Sequence, residues 1–222
     1  MTGTSDGDAS IWEIPSGARL LHLREIGEPV DAVAYARNGE LVVTAARDGA
    51  EQVWDARTGR LRSQGNYHRS EILSVEFDPT STLVLAAGAD GTVVVSDVMQ
   101  GIPVAVLGGP QSVVGVAHFD PSSHRVVGAF RDGTARVWDA TSAYRRWSSP
   151  PVSDDCGFVS SLEPDRRFVA VGCWGLNTRV WDTARDRLFA ELPSVTPVDG
   201  DFSSAFPAVS AAGDRAAIAR GN

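Results

Sequence analysis

Residues 83 to 97 read Leu-Val-Leu-Ala-Ala-Gly-Ala-Asp-Gly-Thr-Val-Val-Val-Ser-Asp. Two short β-rich runs, Leu83 to Gly88 and Thr92 to Ser96, flank Asp90-Gly91. Glycine tolerates the positive φ of a tight turn, so the stretch predicts two antiparallel strands joined by a two-residue hairpin. Working outward, Asp-Gly recurs at Asp6-Gly7, Asp48-Gly49 and Asp132-Gly133, each step being 42 residues. Six residues after each Asp stands an anchor: Trp12, Trp54, Ser96 and Trp138, with Trp181 following 43 residues later. The next residue is Glu13, Asp55, Asp97, Asp139 or Asp182. Only the fifth copy loses the Asp-Gly, having Gly175-Leu176 instead.

A second mark lies 13 residues before each Asp or its equivalent, at Tyr35, Phe77, Phe119 and Leu162. Two of these continue as Phe77-Asp78-Pro79 and Phe119-Asp120-Pro121, where the proline ends a strand. The runs Leu41 to Ala46, Leu83 to Gly88, Arg125 to Phe130 and Phe168 to Cys173 carry the strand signature of short β-rich segments between turn residues. Each period then holds four strands. In the third copy they are Ile72 to Phe77, Leu83 to Gly88, Thr92 to Ser96 and Pro103 to Leu107.

Four-stranded units of 42 residues ending in Trp-Asp resemble the WD-repeat family. The resemblance implies an all-β fold, a β-propeller whose blades are four-stranded antiparallel sheets. The register gives blades at 31–71, 72–113, 114–156 and 157–201, with half blades at 1–30 and 202–222. The resemblance implies about seven blades, so four whole and two half blades read as an open arc and as a piece of a larger bacterial WD-repeat protein.

Packing logic assigns the conserved-register tryptophans. A blade is covered on both faces, so its middle strands can be apolar throughout, as Val93-Val94-Val95 is, and Trp12, Trp54, Trp138 and Trp181 read as buried wedges between sheets. Ser96 should leave its blade the most weakly packed. The resemblance further implies a hydrogen-bonded relay from a His before the first strand, through the hairpin Asp, toward the Trp. His68 with Asp90 is the one pair in register, and it reads as a structural histidine whose pKa Asp90 would raise. The other His positions hold Ile26, Pro110 and Ser153.

Charge and composition exclude several functions. A net charge of −8 argues against nucleic acid, whose non-specific affinity comes from cations replacing counterions. All 20 basic residues are Arg, so phosphate-loop, kinase-type and Schiff-base lysine chemistry is absent. No apolar run reaches the roughly 20 residues of a membrane span. Cys156 and Cys173 are two cysteines without C-x-x-C spacing; with no secretory signal visible, they read as reduced thiols in a cytoplasmic chain. Nucleophile-elbow, zinc-protease and Gly-rich phosphate motifs are missing, and His22, His118 and His124 lack metal-ligand spacing, so neither a cofactor nor a metal is expected.

What remains is the rim formed by the hairpins and the loops before the first strands. In the WD-repeat family the residue before the hairpin Asp often contacts a partner, and here those positions are Ser5, Arg47, Ala89, Arg131 and Trp174. Arg and Trp dominate many binding interfaces, so Arg47, Arg131 and Trp174 are the candidate contacts. The expected function is a non-catalytic scaffold or sensor module, binding a protein partner or another domain of a larger signalling protein. The alternatives are a propeller-type metal-dependent hydrolase or a purely structural spacer. The hydrolase would need polar ligands along the inner strands, where the sequence reads Val33, Val75 and Phe158 with only His118 polar nearby.

Overall fold

A computed structural model describes residues 1–23, 27–108, 112–140, 145–148, 158–162, 168–172, 177–182, 185, 187–192, 205–209 and 216–220. The described residues form antiparallel sheets in which chain neighbours pair. The first sheet holds β1 (Thr2–Gly3), β2 (Ala9–Trp12) and β3 (Arg19–Leu23). The second holds β4 (Val30–Tyr35), β5 (Leu41–Ala46), β6 (Ala50–Asp55) and β7 (Leu61–Asn66). The third holds β8 (Ile72–Phe77), β9 (Leu83–Gly88), β10 (Thr92–Asp97) and β11 (Pro103–Gly108). The fourth holds β12 (Val114–Phe119), β13 (Arg125–Phe130), β14 (Ala135–Asp139) and β15 (Arg145–Ser148). The fifth holds β16 (Phe158–Leu162), β17 (Phe168–Gly172), β18 (Thr178–Asp182) and β19 (Arg187–Leu192), and β20 (Ala205–Val209) pairs with β21 (Ala216–Arg220).

The hydrophobic core runs between sheets, because adjacent sheets pack face to face. β9 and β10 are buried at nearly every position, including Val84, Leu85, Val93, Val94 and Val95. One cluster joins Leu85, Val93, Val95 and Leu107 of the third sheet to Val114, Phe119, Val126 and Trp138 of the fourth. Another joins Ala9, Ile11 and Leu23 of the first to Val42 and Trp54 of the second. The outer strands β7 and β11 instead expose alternate residues. The sheets thus stand as blades of an arc. It is open: β21 pairs with β20, and β2 with β1 and β3, and among the described residues no ladder joins those two sheets.

Two expectations need correction. The Asp-Gly turns are three-residue hairpins, not two-residue ones. Gly49, Gly91 and Gly133 donate their amides to the carbonyls of Ala46, Gly88 and Phe130 and take φ of 88, 83 and 76°. This is a turn over Arg47-Asp48, Ala89-Asp90 or Arg131-Asp132 followed by a left-handed glycine. The aspartate closes it by accepting the amide two residues on: Ala50 to Asp48 at 3.0 Å, Thr92 to Asp90 at 2.9 Å and Thr134 to Asp132 at 2.9 Å. The three glycines are themselves buried.

Trp12 is the second correction. Trp54, Trp138 and Trp181 are 3, 2 and 9% exposed, whereas Trp12 is 40% exposed. Each buried indole packs on the sheet before its own: Trp54 with Ala9, Trp138 with Val93, Trp181 with Ala135. Among the described residues no sheet covers the Trp12 face in that way. The indole keeps its polar contact even so, donating to Thr2 at 2.9 Å as Trp54 donates to Thr44 at 3.0 Å.

Candidate binding rim

The loops before the inner strands and the hairpins lie at one end of the arc because the backbone ties them together. Amides of Arg47, Ala89 and Arg131 donate to carbonyls of Pro29, Glu71 and Val113, each at 2.9 Å. Directly after these bonds every inner strand is bulged, between Val30 and Ala32, Ile72 and Ser74, and Val114 and Val116. A bulge re-aims the strand end at the rim.

Arg47 and Arg131, at equivalent positions, are both exposed on this rim. The Arg47 guanidinium forks onto Asp31, Nη2 to Oδ1 at 2.8 Å and Nε to Oδ2 at 3.2 Å, with Glu71 farther off at 3.9 Å. Its side chain nevertheless stays 57% exposed. Hydrogen bonding to Asp31 raises its pKa, so it is a fixed, permanent cation. Trp174, the third candidate, lies outside the described residues, as do Cys156 and Cys173.

His68 and Asp90 meet as expected. His68 is buried, its Nδ1 lies 3.2 Å from Asp90 Oδ1, and the Thr92 hydroxyl donates to the same oxygen at 2.6 Å. The Arg69 amide binds the other oxygen at 2.8 Å. Because a carboxylate only accepts, Nδ1 carries the proton. Partial burial pushes the Asp90 carboxyl up, but the Thr92 hydroxyl, the Arg69 and Thr92 amides and His68 outweigh it and bring it to about 2. For His68 the expectation is reversed. Burial lowers its pKa and outweighs the pull of Asp90, so the ring is neutral near pH 7.

The rest of the expected relay is split between blades. In the second sheet Thr44 accepts from Trp54, while the corresponding positions of the third sheet are Ala86 and Ser96. His68 Nε2 is accordingly buried without a hydrogen-bond partner. Thr2 and Trp12 repeat the Thr44–Trp54 pair one period earlier.

Ser96 is occupied in a way the sequence did not announce. It is 1% exposed, and its hydroxyl donates to Glu51 Oε1 on β6 of the sheet before it. Glu51 sits one period from both Ala9 and Val93, the small residues that receive Trp54 and Trp138. An apolar residue facing an indole has been exchanged for a carboxyl facing a hydroxyl, and the Glu side chain reaches into the volume that the missing indole vacates. Ser96 is thus buried against a longer neighbour.

A second unannounced pair lies on the inner strands. His118 Nδ1 is 2.9 Å from Glu76 Oε2, and the Phe119 amide donates to Glu76 Oε1. Beside them the Ala117 amide donates to Ser74 at 3.3 Å. Glu76 and His118 are one 42-residue step apart, so the repeat register is the signal that would have found them. The Ser74 and Glu76 side chains thus tie β8 to β12. Among the described residues no cluster of three or more His, Cys, Asp or Glu side chains is arranged to hold a metal.

The family model described as "WD domain, G-beta repeat" matches residues 60–97 and 101–139. The chain carries WD repeats. Each matched WD repeat takes the outer strand of one sheet and three strands of the next, β7 to β10 and β11 to β14, so successive repeats interlock across the seams. Among curated proteins, the chain is similar to Autophagy-related protein 16 of Arabidopsis thaliana, 35% identical over 69 residues. It is also similar to WD repeat and SOCS box-containing protein 1 of Xenopus tropicalis, 38% identical over 66 residues. Each match covers 29% of this chain and 14% of the relative's length. WD-repeat proteins as a class mediate protein–protein contact and are generally non-catalytic.

Proposed function

We propose that the chain is a non-catalytic protein-binding module whose rim, through Arg47, Arg131 and Trp174, engages a protein partner or another domain of a larger signalling protein. One observation carries the reading: Arg47 and Arg131 occupy equivalent places just before the hairpin Asp and both point exposed side chains from a backbone fixed at the rim. Arg47 is held in advance by Asp31, so little side-chain entropy is lost when a partner's acceptor meets it. Function concentrates on such loops because a rigid scaffold positions them.

The test is affinity capture with this chain as bait, compared with the Arg47→Ala, Arg131→Ala, Trp174→Ala triple variant. The reading expects at least one wild-type partner to be lost from a variant that melts like the wild type. An identical captured set would reject the rim as the binding surface.

A further inference from the structure

The seam between the second and third sheets differs from its sisters in chemistry. Elsewhere an indole lies on a small apolar residue; here Ser96 meets Glu51, and Glu51 Oε2 is buried without a hydrogen-bond partner. A buried carboxylate with one orphan oxygen is costly, whereas the protonated acid needs far less solvation. We infer that this seam is a proton-operated joint, closed when Glu51 is protonated and loosened when Glu51 is ionised, whereas the indole contacts of the other seams hold no carboxyl.

The surroundings support the assignment. Facing Glu51 are the Ser96 hydroxyl from β10 and, beyond β7, Tyr67, whose phenol is raised by burial and then by the Glu51 charge. Its ladder partners Ala45 on β5 and Gly65 on β7 carry no titratable group. Burial pushes the Glu51 carboxyl up to about 7 against the lowering effect of the Ser96 hydroxyl, with no cation contributing. The closed seam therefore binds the proton more tightly than the open one, in which water restores the ordinary carboxylate value. Closure is fully favoured below that ordinary value and is lost as pH rises through neutrality. His68 and Asp90, at the rim end of the same seam, act in the opposite sense: the depressed His68 pKa weakens closure as pH falls. A variant at position 51 separates the two.

Hydrogen exchange of the β6 and β10 amides, corrected for intrinsic exchange, reads the opening of this seam, and β18 serves as the indole-seam reference. From about pH 5.5 to about pH 8 the opening population at β6 and β10 should grow relative to the reference, by a factor at least about tenfold larger than in Glu51→Gln. Glu51→Gln should abolish the growth. If that variant folds poorly, Glu51→Ala combined with Ser96→Trp places the sister residues on both sides and should likewise show no growth of opening as pH rises, keeping only the opposite-sense effect of His68. The inference is overturned if wild-type β6 and β10 open in parallel with β18 across this range, or if either variant retains the growth of opening with rising pH.

Discussion

Gly49 and Gly39 are both left-handed, with φ of 88 and 73°, yet they stand in different surroundings. A Cβ on Gly49 would lie 2.4 Å from the His68 carbonyl oxygen, while one on Gly39 would meet nothing within 4 Å. Gly39→Ala should cost about 1–2 kcal/mol, the strain of a left-handed backbone alone. Gly49→Ala should cost clearly more, because the hairpin must also leave the neighbouring blade; urea unfolding of the two variants checks the order. His68 adds a pH term of known sign. Its folded pKa lies below the unfolded one, so its contribution to stability is present above about pH 6.5 and is lost as pH falls through the folded value. His68→Gln should flatten that acid limb of the melting profile. Single residues were the least legible scale in the sequence. Asp-Gly announced the turns but not their length, which depends on the carboxylate reaching the amide two residues on. Asp90 beside His68 suggested a raised pKa, and only the burial of the ring reverses the sign.

At the scale of elements the sequence was read most faithfully, since strand edges are set by local punctuation. Leu41 to Ala46, Leu83 to Gly88 and Arg125 to Phe130 are strands with those bounds, and Ile72 to Phe77 is the inner strand that Pro79 ends. Asp78 shows what the Phe-Asp-Pro mark is for. Its carboxylate accepts the amides of Thr80, Thr82 and Leu83, the Thr80 hydroxyl at 2.5 Å, and the Ser123 hydroxyl of the next blade at 2.8 Å. Burial opposes ionisation, but these donors hold the carboxyl below its ordinary value. Asp78→Ala leaves several buried donors unsatisfied and should cost about 2–3 kcal/mol in urea unfolding, against a smaller loss for Ser123→Ala. The outer edge of the third sheet is different again. Met99, Ile102, Val104 and Val106 are exposed there, where the second sheet has Arg57, Arg60, Arg62 and Gln64 in the same register. An uncharged free edge invites pairing, so Val106→Lys should lower light scattering on storage without shifting the melt.

The molecule as a whole is a row of blades, each wedged on its predecessor, and the 42-residue period made that arrangement legible before any coordinate. Contacts between blades were legible where they keep the register, as Glu76 with His118 does, and not where they leave it: Ser96 reaches Glu51 at a separation of 45 residues. Position in the arc also decides what an identical residue is worth. Trp12 and Trp138 share a register, yet one is 40% exposed and the other 2%, since among the described residues only Trp138 has a sheet to lie on. Removing a packed indole typically costs about 3–5 kcal/mol, and removing a half-exposed one about 1 kcal/mol. The most direct test of blade-on-blade wedging is therefore the unfolding free energy of Trp138→Ala measured beside that of Trp12→Ala. Wedging requires a loss at least about twice as large at Trp138; equal losses, or a larger one at Trp12, would rule it out.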